Sequence, residues 1–117
     1  MKTASEIRVK DLEPKRDYVF VKDLISAIIK AVEADLAFEI FNIGNGKPVN
    51  LFDFINELET VLNTKAQIEL MPRQIGELDN TWADTSKFET AYGFKSSIAI
   101  REGIYNFATW YRAYYNI

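Results

Sequence analysis

The period of the apolar residues changes several times along the chain, and each change predicts an element. From Glu6 to Leu12, Ile7 and Val9 alternate with charged neighbours, which is the two-residue period of a half-exposed strand. Pro14 breaks that run. Asp17 to Val21 is a second short stretch of β-favouring residues, so the spacing predicts a hairpin-like pair. In Lys22 to Ala34, residues Leu24, Ile25, Ile28, Ile29 and Val32 form one apolar stripe at helical spacing. Phe38 to Ile43 is nearly continuous apolar chain ending at Gly44, the pattern of a strand buried on both faces. Gly44-Asn45-Gly46-Lys47-Pro48 is loop.

Asn50 is a good N-cap with Asp53 three residues on, and Leu51, Phe54, Ile55, Leu58, Val61 and Leu62 then repeat as a helix face. Ala66 to Met71 reads as a strand ended by Pro72, and Arg73 to Asn80 as a polar loop. Asp84 can cap a short helix that stops at Gly93 in the left-handed region. Ser97 opens a last helix carrying Ile100, Ile104, Phe107, Tyr111 and Tyr114 on one face. The order β β α β α β α α predicts an α/β (mixed α+β) domain, a small sheet with about four helices.

Composition adds mainly exclusions. With 14 basic and 17 acidic residues in 117, the net charge is −3, which argues against binding a nucleic-acid backbone. Apolar residues make up 48% and aromatics 14%, enough for a core. There is neither Cys nor His. That removes disulfides, thiolate nucleophiles, Ser-His-Asp chemistry and most zinc or haem sites. A carboxylate-only Mg²⁺ or Ca²⁺ site stays open, but no stretch has EF-hand spacing. No apolar run is long enough to span a bilayer, and Met1 to Lys10 is unlike a signal peptide. A cytoplasmic, membrane-free protein is expected.

Several motifs carry competing readings. Tyr18-x-x-x-Lys22 has the spacing of a catalytic Tyr/Lys pair, which requires one helix face. In a strand-like run the two would stand about 13 Å apart, so the match is read as accidental. Gly44-Asn45-Gly46 lies between a strand and a capped helix, where a dinucleotide loop would sit. Val49 takes the third glycine position and Pro48 intrudes, so a tight turn is the better reading. Arg16 beside Asp17 is either a surface ion pair or a fork for a phosphate. Arg73-Gln74-Ile75-Gly76-Glu77 combines a cation, an amide, a glycine and a carboxylate, a set suited to a phosphate or polyol. Phe107, Trp110, Tyr111, Tyr114 and Tyr115 could stack on bases. Without a basic patch they read as core and docking face.

Taken in order, these pieces resemble a known family. Arg16-Asp17-Tyr18-Val19-Phe20-Val21-Lys22-Asp23-Leu24 resembles the "RDYxxVxDL" segment of extended short-chain dehydrogenases. Phe41 to Gly46 resembles their "xNIGxG" strand end, and Pro48 to Leu51 the helix entry after it. Gly76-Glu77 with Ala83 to Lys87 resembles "GD…ADxSK", and Phe107 to Tyr111 the closing "FxxWY". This is the NAD-dependent nucleotide-sugar epimerase/dehydratase family. Within it, Asn42–Leu51 and the tail are most similar to uronic-acid 4-epimerases.

The resemblance spans nearly all of this chain but only the last third of a family member. It implies the carboxyl-terminal, substrate-binding part of a Rossmann-type enzyme that uses NAD. Residues 1–49 would adjoin a missing nucleotide domain, and residues 50–117 would form the substrate subdomain. By the same resemblance the substrate is a nucleotide-diphosphate sugar, a UDP-sugar first of all. Arg16 matches an Arg that contacts its diphosphate, Glu77 an Asp that bonds the ribose, and Gln74 a position that is Arg or Gln. Arg73 could take over a phosphate contact. The glycine-rich cofactor loop and the catalytic Ser/Thr and Tyr/Lys set are missing, so no catalytic, cofactor-binding or metal residue is expected here. The alternative is a stand-alone, non-catalytic binding or interaction module. Because the Phe38–Ile43 strand and the Leu24–Val32 stripe lack partners, the chain by itself is expected to self-associate.

Overall fold

The computed structural model describes residues 6–34 and 38–117. Among these residues, four strands and four helices follow in the order β1 (Glu6–Val9), β2 (Lys15–Arg16), α1 (Val21–Glu33), β3 (Val49–Asn50), α2 (Leu51–Leu62), β4 (Gln67–Leu70), α3 (Ser86–Tyr92) and α4 (Ile100–Tyr115). The mixed α/β class and the count of helices agree with the sequence pattern. The pairing does not follow the expected hairpin. β1 pairs in parallel with β4, with Arg8 opposite Glu69, and β2 pairs antiparallel with β3. Between β1 and β2 the Glu13 N–H is taken by Asp11 Oδ1 at 3.0 Å. Pro14 has no N–H to offer a ladder. The chain therefore turns away from β1.

Two further strand expectations need correction. Asp17 to Phe20 continues β2 as extended chain without a ladder, and Val21 already belongs to α1. Phe38 to Ile43 is not a buried strand: Phe38 is 90% and Ile40 71% exposed. No neighbouring strand meets this segment among the described residues, since β1 and β4 pair with each other. It is held from one side by α3. Lys87 Nζ reaches Glu39 at 2.6 Å and the Ile40 carbonyl at 2.9 Å, and Phe41 packs edge-on against Phe88 and Tyr92 with ring centroids 5.3 Å away. Phe41 is thus half-buried rather than uncovered.

The caps follow local chemistry, with one informative exception. Asn50 Oδ1 accepts the Asp53 N–H at 2.7 Å, as expected for α2. Gly93, at φ +62°, ends α3, and Asp84 holds the entry of α3 through the Ser86 N–H and hydroxyl. The Ser86 hydrogen bonds hold the Asp84 carboxyl below its ordinary range. The exception is α4, which starts at Ile100 and not at Ser97. The Ser97 and Ile98 N–H groups are taken by Asp23 Oδ2 at 3.1 and 2.9 Å. Among the described residues Asp23 is the one buried charged residue, 6% exposed. A buried carboxylate must be hydrogen-bonded, and this one is satisfied by the extended chain that precedes α4.

The core is small. Val9, Ala27, Ile55, Phe88, Ile104 and Ala108 are buried, mostly where α2 meets α4 and around Phe88. The stripe on α1 and the aromatic face of α4 both stay in contact with solvent. Ile29 is 50%, Val32 78%, Trp110 53% and Tyr114 65% exposed. The chain is a slab, 50 × 39 × 18 Å, with a Cα radius of gyration of 17.1 Å. A closed domain of this length would have roughly 13 Å.

One carboxylate ties the slab together. Asp17 Oδ1 accepts the Asn45 N–H at 2.7 Å, and its Oδ2 accepts those of Gly46 and Ala83 at 3.0 Å each. Gly44 sits so close that a Cβ would stand 2.6 Å from Asp17 Oδ2 and 2.7 Å from Ala83 Cβ. Asp17→Ala should therefore cost at least about 3 kcal/mol, the upper end for one charged hydrogen bond, because three are lost together. Asp17→Asn should recover less than half, since its amide group sets N–H against N–H. Gly44→Ala should cost about 1–3 kcal/mol by overpacking. Urea unfolding followed by circular dichroism measures all three. An Asp17→Ala midpoint equal to wild type would refute the assignment.

Candidate functional site

The expected site residues lie on β2 and on the loop that follows β4. Lys15 fixes both. Its backbone pairs with Asn50 in β3, its N–H reaches the Asp79 carbonyl at 3.0 Å, and its carbonyl accepts the Thr81 N–H at 3.1 Å. Arg16, the next residue, then lays its side chain along the same loop. Its Nη1 donates to the Lys15 carbonyl at 2.9 Å and to the Asp79 carbonyl at 3.4 Å, and its Nη2 to the Leu78 carbonyl at 2.9 Å. A guanidinium has five N–H donors. Three are used here, all on carbonyls. The Nε–H and one Nη2–H have no partner among the described residues, and no carboxylate of those residues lies within 4.0 Å. Among the described residues the charge of Arg16 is therefore uncompensated at close range.

The loop from Arg73 to Asp79 turns at Gly76, where φ is +91°, and the Glu77 N–H meets the Gln74 carbonyl at 3.4 Å. Space is not the constraint at Gly76, since a Cβ would meet nothing within 4 Å. The left-handed backbone is what favours glycine there. Arg73 holds the turn from inside. It donates to the Glu77 carbonyl at 3.3 Å and to the Asp79 carboxylate, with Asp11 at 3.8 Å and the Glu77 carboxylate at 4.0 Å. Asp79, through its hydrogen bond and its charge, and then Asp11 and Glu77, raise the Arg73 pKa above its ordinary value.

Arg16 and Glu77 line one cleft of about 330 Å³, together with Arg8, Val9, Lys10, Asp11, Pro14, Tyr18 and Leu51. The structure thus brings two of the four expected residues to one surface. Arg73 stands behind that surface as a tie for the loop, and Gln74 contributes its carbonyl to the turn. Lys10 was missed by the sequence reading, although the alternation of Arg8 and Lys10 with Ile7 and Val9 puts both cations on one side of β1. Tyr18, stacked on Phe54 at 4.6 Å, forms part of the floor. It lies in extended chain while Lys22 lies in α1, so the pair does not share a helix face.

The glycine turn at residues 44–46 does not fit a dinucleotide. The N–H groups of Asn45 and Gly46, which a phosphate would need, are already given to Asp17. Among the described residues no cluster of three carboxylates could hold a metal ion, and no helix is long and apolar enough to cross a membrane.

A family model described as "NAD dependent epimerase/dehydratase family" matches residues 1–44. An uncharacterized protein of Methanocaldococcus jannaschii is 40% identical over 97 residues, covering 83% of this chain and 30% of its own length. A UDP-glucuronate 4-epimerase of Thermodesulfobacterium geofontis is 30% identical over 96 residues, covering 81% of this chain and 29% of that protein. The solved structure of UDP-glucuronic acid 4-epimerase from Bacillus cereus, in complex with UDP-glucuronic acid and NAD, superposes with a TM-score of 0.78 at 25% identity. That superposition covers 91% of this chain and 35% of that one. The chain spans about a third of the length of these relatives.

Arg73→Ala should loosen the loop without unfolding the chain. Its ion pairs are exposed and screened by solvent, so they add little to global stability. Amide exchange of Gly76 to Asp79 should accelerate while that of α2 and α4 is unchanged. Equal exchange across the loop would show that Arg73 does not hold it.

Proposed function

Because the chain belongs to the NAD-dependent epimerase/dehydratase family, we propose that it is the carboxyl-terminal, nucleotide-sugar-binding part of such an enzyme. In this reading it supplies substrate grip, not chemistry. The observation that carries it is the unpartnered Nε–H and Nη2–H pair of Arg16 in the cleft shared with Glu77. Two parallel donors on a planar cation match a phosphate edge. Glu77, on the opposite loop, can accept from ribose hydroxyls, and its extra methylene relative to Asp lengthens that reach. Arg73 keeps the loop shaped, and Gln74 completes its turn. The relatives named UDP-glucuronate 4-epimerases favour a UDP-uronic acid as the ligand; polysaccharide synthesis is the setting we propose for it. Oxidation and return of hydride by NAD would belong to the nucleotide domain outside these residues. The lack of Cys supports a cytoplasmic setting.

Calorimetric titration of the chain with UDP, UDP-glucuronic acid and NAD tests the proposal. The first two should bind, and NAD should not bind more tightly than about millimolar. Arg16→Ala should lose about 1.5–3 kcal/mol of UDP binding, and Arg16→Lys should recover only part, because a point charge cannot fork. Epimerase turnover by the chain alone, or UDP binding indifferent to Arg16, would overturn the reading.

In the same reading, the exposed stripe of α1 and the one-sided Phe38–Ile43 segment are surfaces that the rest of the enzyme covers. By itself the chain should self-associate to cover them. Light scattering after size exclusion should give a mass above that of the monomer. A monodisperse particle of 13.5 kDa at high micromolar concentration would contradict this.

A further inference from the structure

Two cations of the cleft, Arg8 and Lys10, lie outside the residues that the family resemblance singles out. Arg8 and Lys10 share one side of β1 and its extension, but they are used differently. Arg8 turns to Glu69 at 2.9 Å and Glu6 at 3.3 Å. Lys10 lines the cleft, and its Nζ donates to Glu77 Oε1 at 3.2 Å. The pair joins two walls that are 67 positions apart in sequence. Its side chains are 36% and 33% exposed, so the pair is solvent-screened and weakly held. Besides Arg8, paired with Glu69, and Asp11, which faces Arg73 at 3.8 Å, the cleft therefore contains Arg16, which no described carboxylate compensates, and Lys10, whose charge is masked by Glu77.

We propose that Lys10 is a second anion-contacting residue of this cleft, and that Glu77 is its latch. The ligand class is a pair of linked phosphoryl groups. One takes the open fork of Arg16, and the other displaces the Glu77 carboxylate from the Lys10 ammonium. The volume of about 330 Å³ lies within the range of small-ligand sites. An ammonium has three rotatable donors, so Lys10 can leave one acceptor for another without moving its backbone. The released Glu77 carboxylate is then available to neutral hydroxyls beside the phosphates. The inference rests on reading the cleft as a diphosphate site, and it assigns Glu77 a sign that a hydroxyl-holding role alone would not. Toward an anion with no hydroxyls, Glu77 is an obstacle.

Inorganic pyrophosphate isolates that sign. The chain and its Lys10→Gln, Glu77→Gln, Arg16→Ala and Lys30→Gln variants are titrated calorimetrically with pyrophosphate and with UDP, with circular dichroism recording the fold. Lys10→Gln should weaken pyrophosphate binding about fivefold to tenfold, and Glu77→Gln should tighten it about threefold, as expected for one screened charge. Lys30, which does not line the cleft, should leave it unchanged. If Lys10→Gln binds as wild type while Arg16→Ala is weakened, the latch is overturned and the diphosphate reading stands. If the wild-type chain binds neither UDP nor pyrophosphate, both fall. Should Lys10→Gln lose its helical signal, Glu77→Gln decides alone, and weaker pyrophosphate binding by that variant overturns the latch.

Discussion

Three segments distant in sequence meet on the carboxylate of Asp17. Its oxygens receive the N–H groups of Asn45, Gly46 and Ala83. Two of these donors lie in the glycine turn before α2, and the third lies in the chain that leads into α3. The Asn45 and Ala83 bonds are part-buried, and a backbone N–H left unmet away from water costs about as much as a hydrogen bond is worth. The packing at Gly44 depends on the same point, since the approach of Asp17 and Ala83 leaves no room for a Cβ. Asp17 also sets the position of its neighbour. With Asp17 pinned on one side and Lys15 paired to Asn50 on the other, the Arg16 side chain has only the loop from Leu78 to Asp79 to rest on. Fold and candidate site are thus joined by adjacent residues of a short extended segment.

A second carboxylate, this one buried, repeats this logic. Asp23 stands in the first turn of α1, where it could favour its own helix dipole, but it accepts from Ser97 and Ile98 instead. The result ties the start of α4 to the start of α1 and brings Gly103 against Phe20. A Cβ there would stand 3.2 Å from the Phe20 ring. Carboxylates that accept backbone N–H groups do much of the joining that a larger apolar core would do in a closed domain. The slab has few buried side chains to spend on cohesion.

Charge in the cleft is arranged rather than merely abundant. Arg73 is surrounded by Asp79, Asp11 and Glu77, and it acts inward on the loop. Arg16 meets carbonyl dipoles that orient it without cancelling its charge. Lys10 and Glu77 lie between these cases, paired but partly in water. A net charge of −3 therefore says little about this surface. Anion recognition depends on which cations are left uncompensated locally, not on the total.

Much of the local structure was determined by sequence alone. α1 and α2 follow from apolar periodicity, the Asn50 cap from its side-chain chemistry, and the end of α3 from Gly93, because each depends on residues within one or two turns. The adjacency of Arg16 and Glu77 was legible only through the family resemblance. Tertiary structure decided the rest. β1 chose a parallel partner some sixty residues away over the nearby hairpin, because Asp11 and Pro14 deny it a local ladder. The Phe38–Ile43 run, apolar enough for a buried strand, stays one-sided because burial depends on neighbours that composition cannot count. α4 starts at Ile100 rather than Ser97, and the extended chain before it is held by a distant carboxylate, Asp23, which accepts the Ser97 and Ile98 N–H groups. Lys10 became a residue of the cleft for a similar reason. Its partner, Glu77, is supplied across the fold, and no local period reports which carboxylate a lysine will meet.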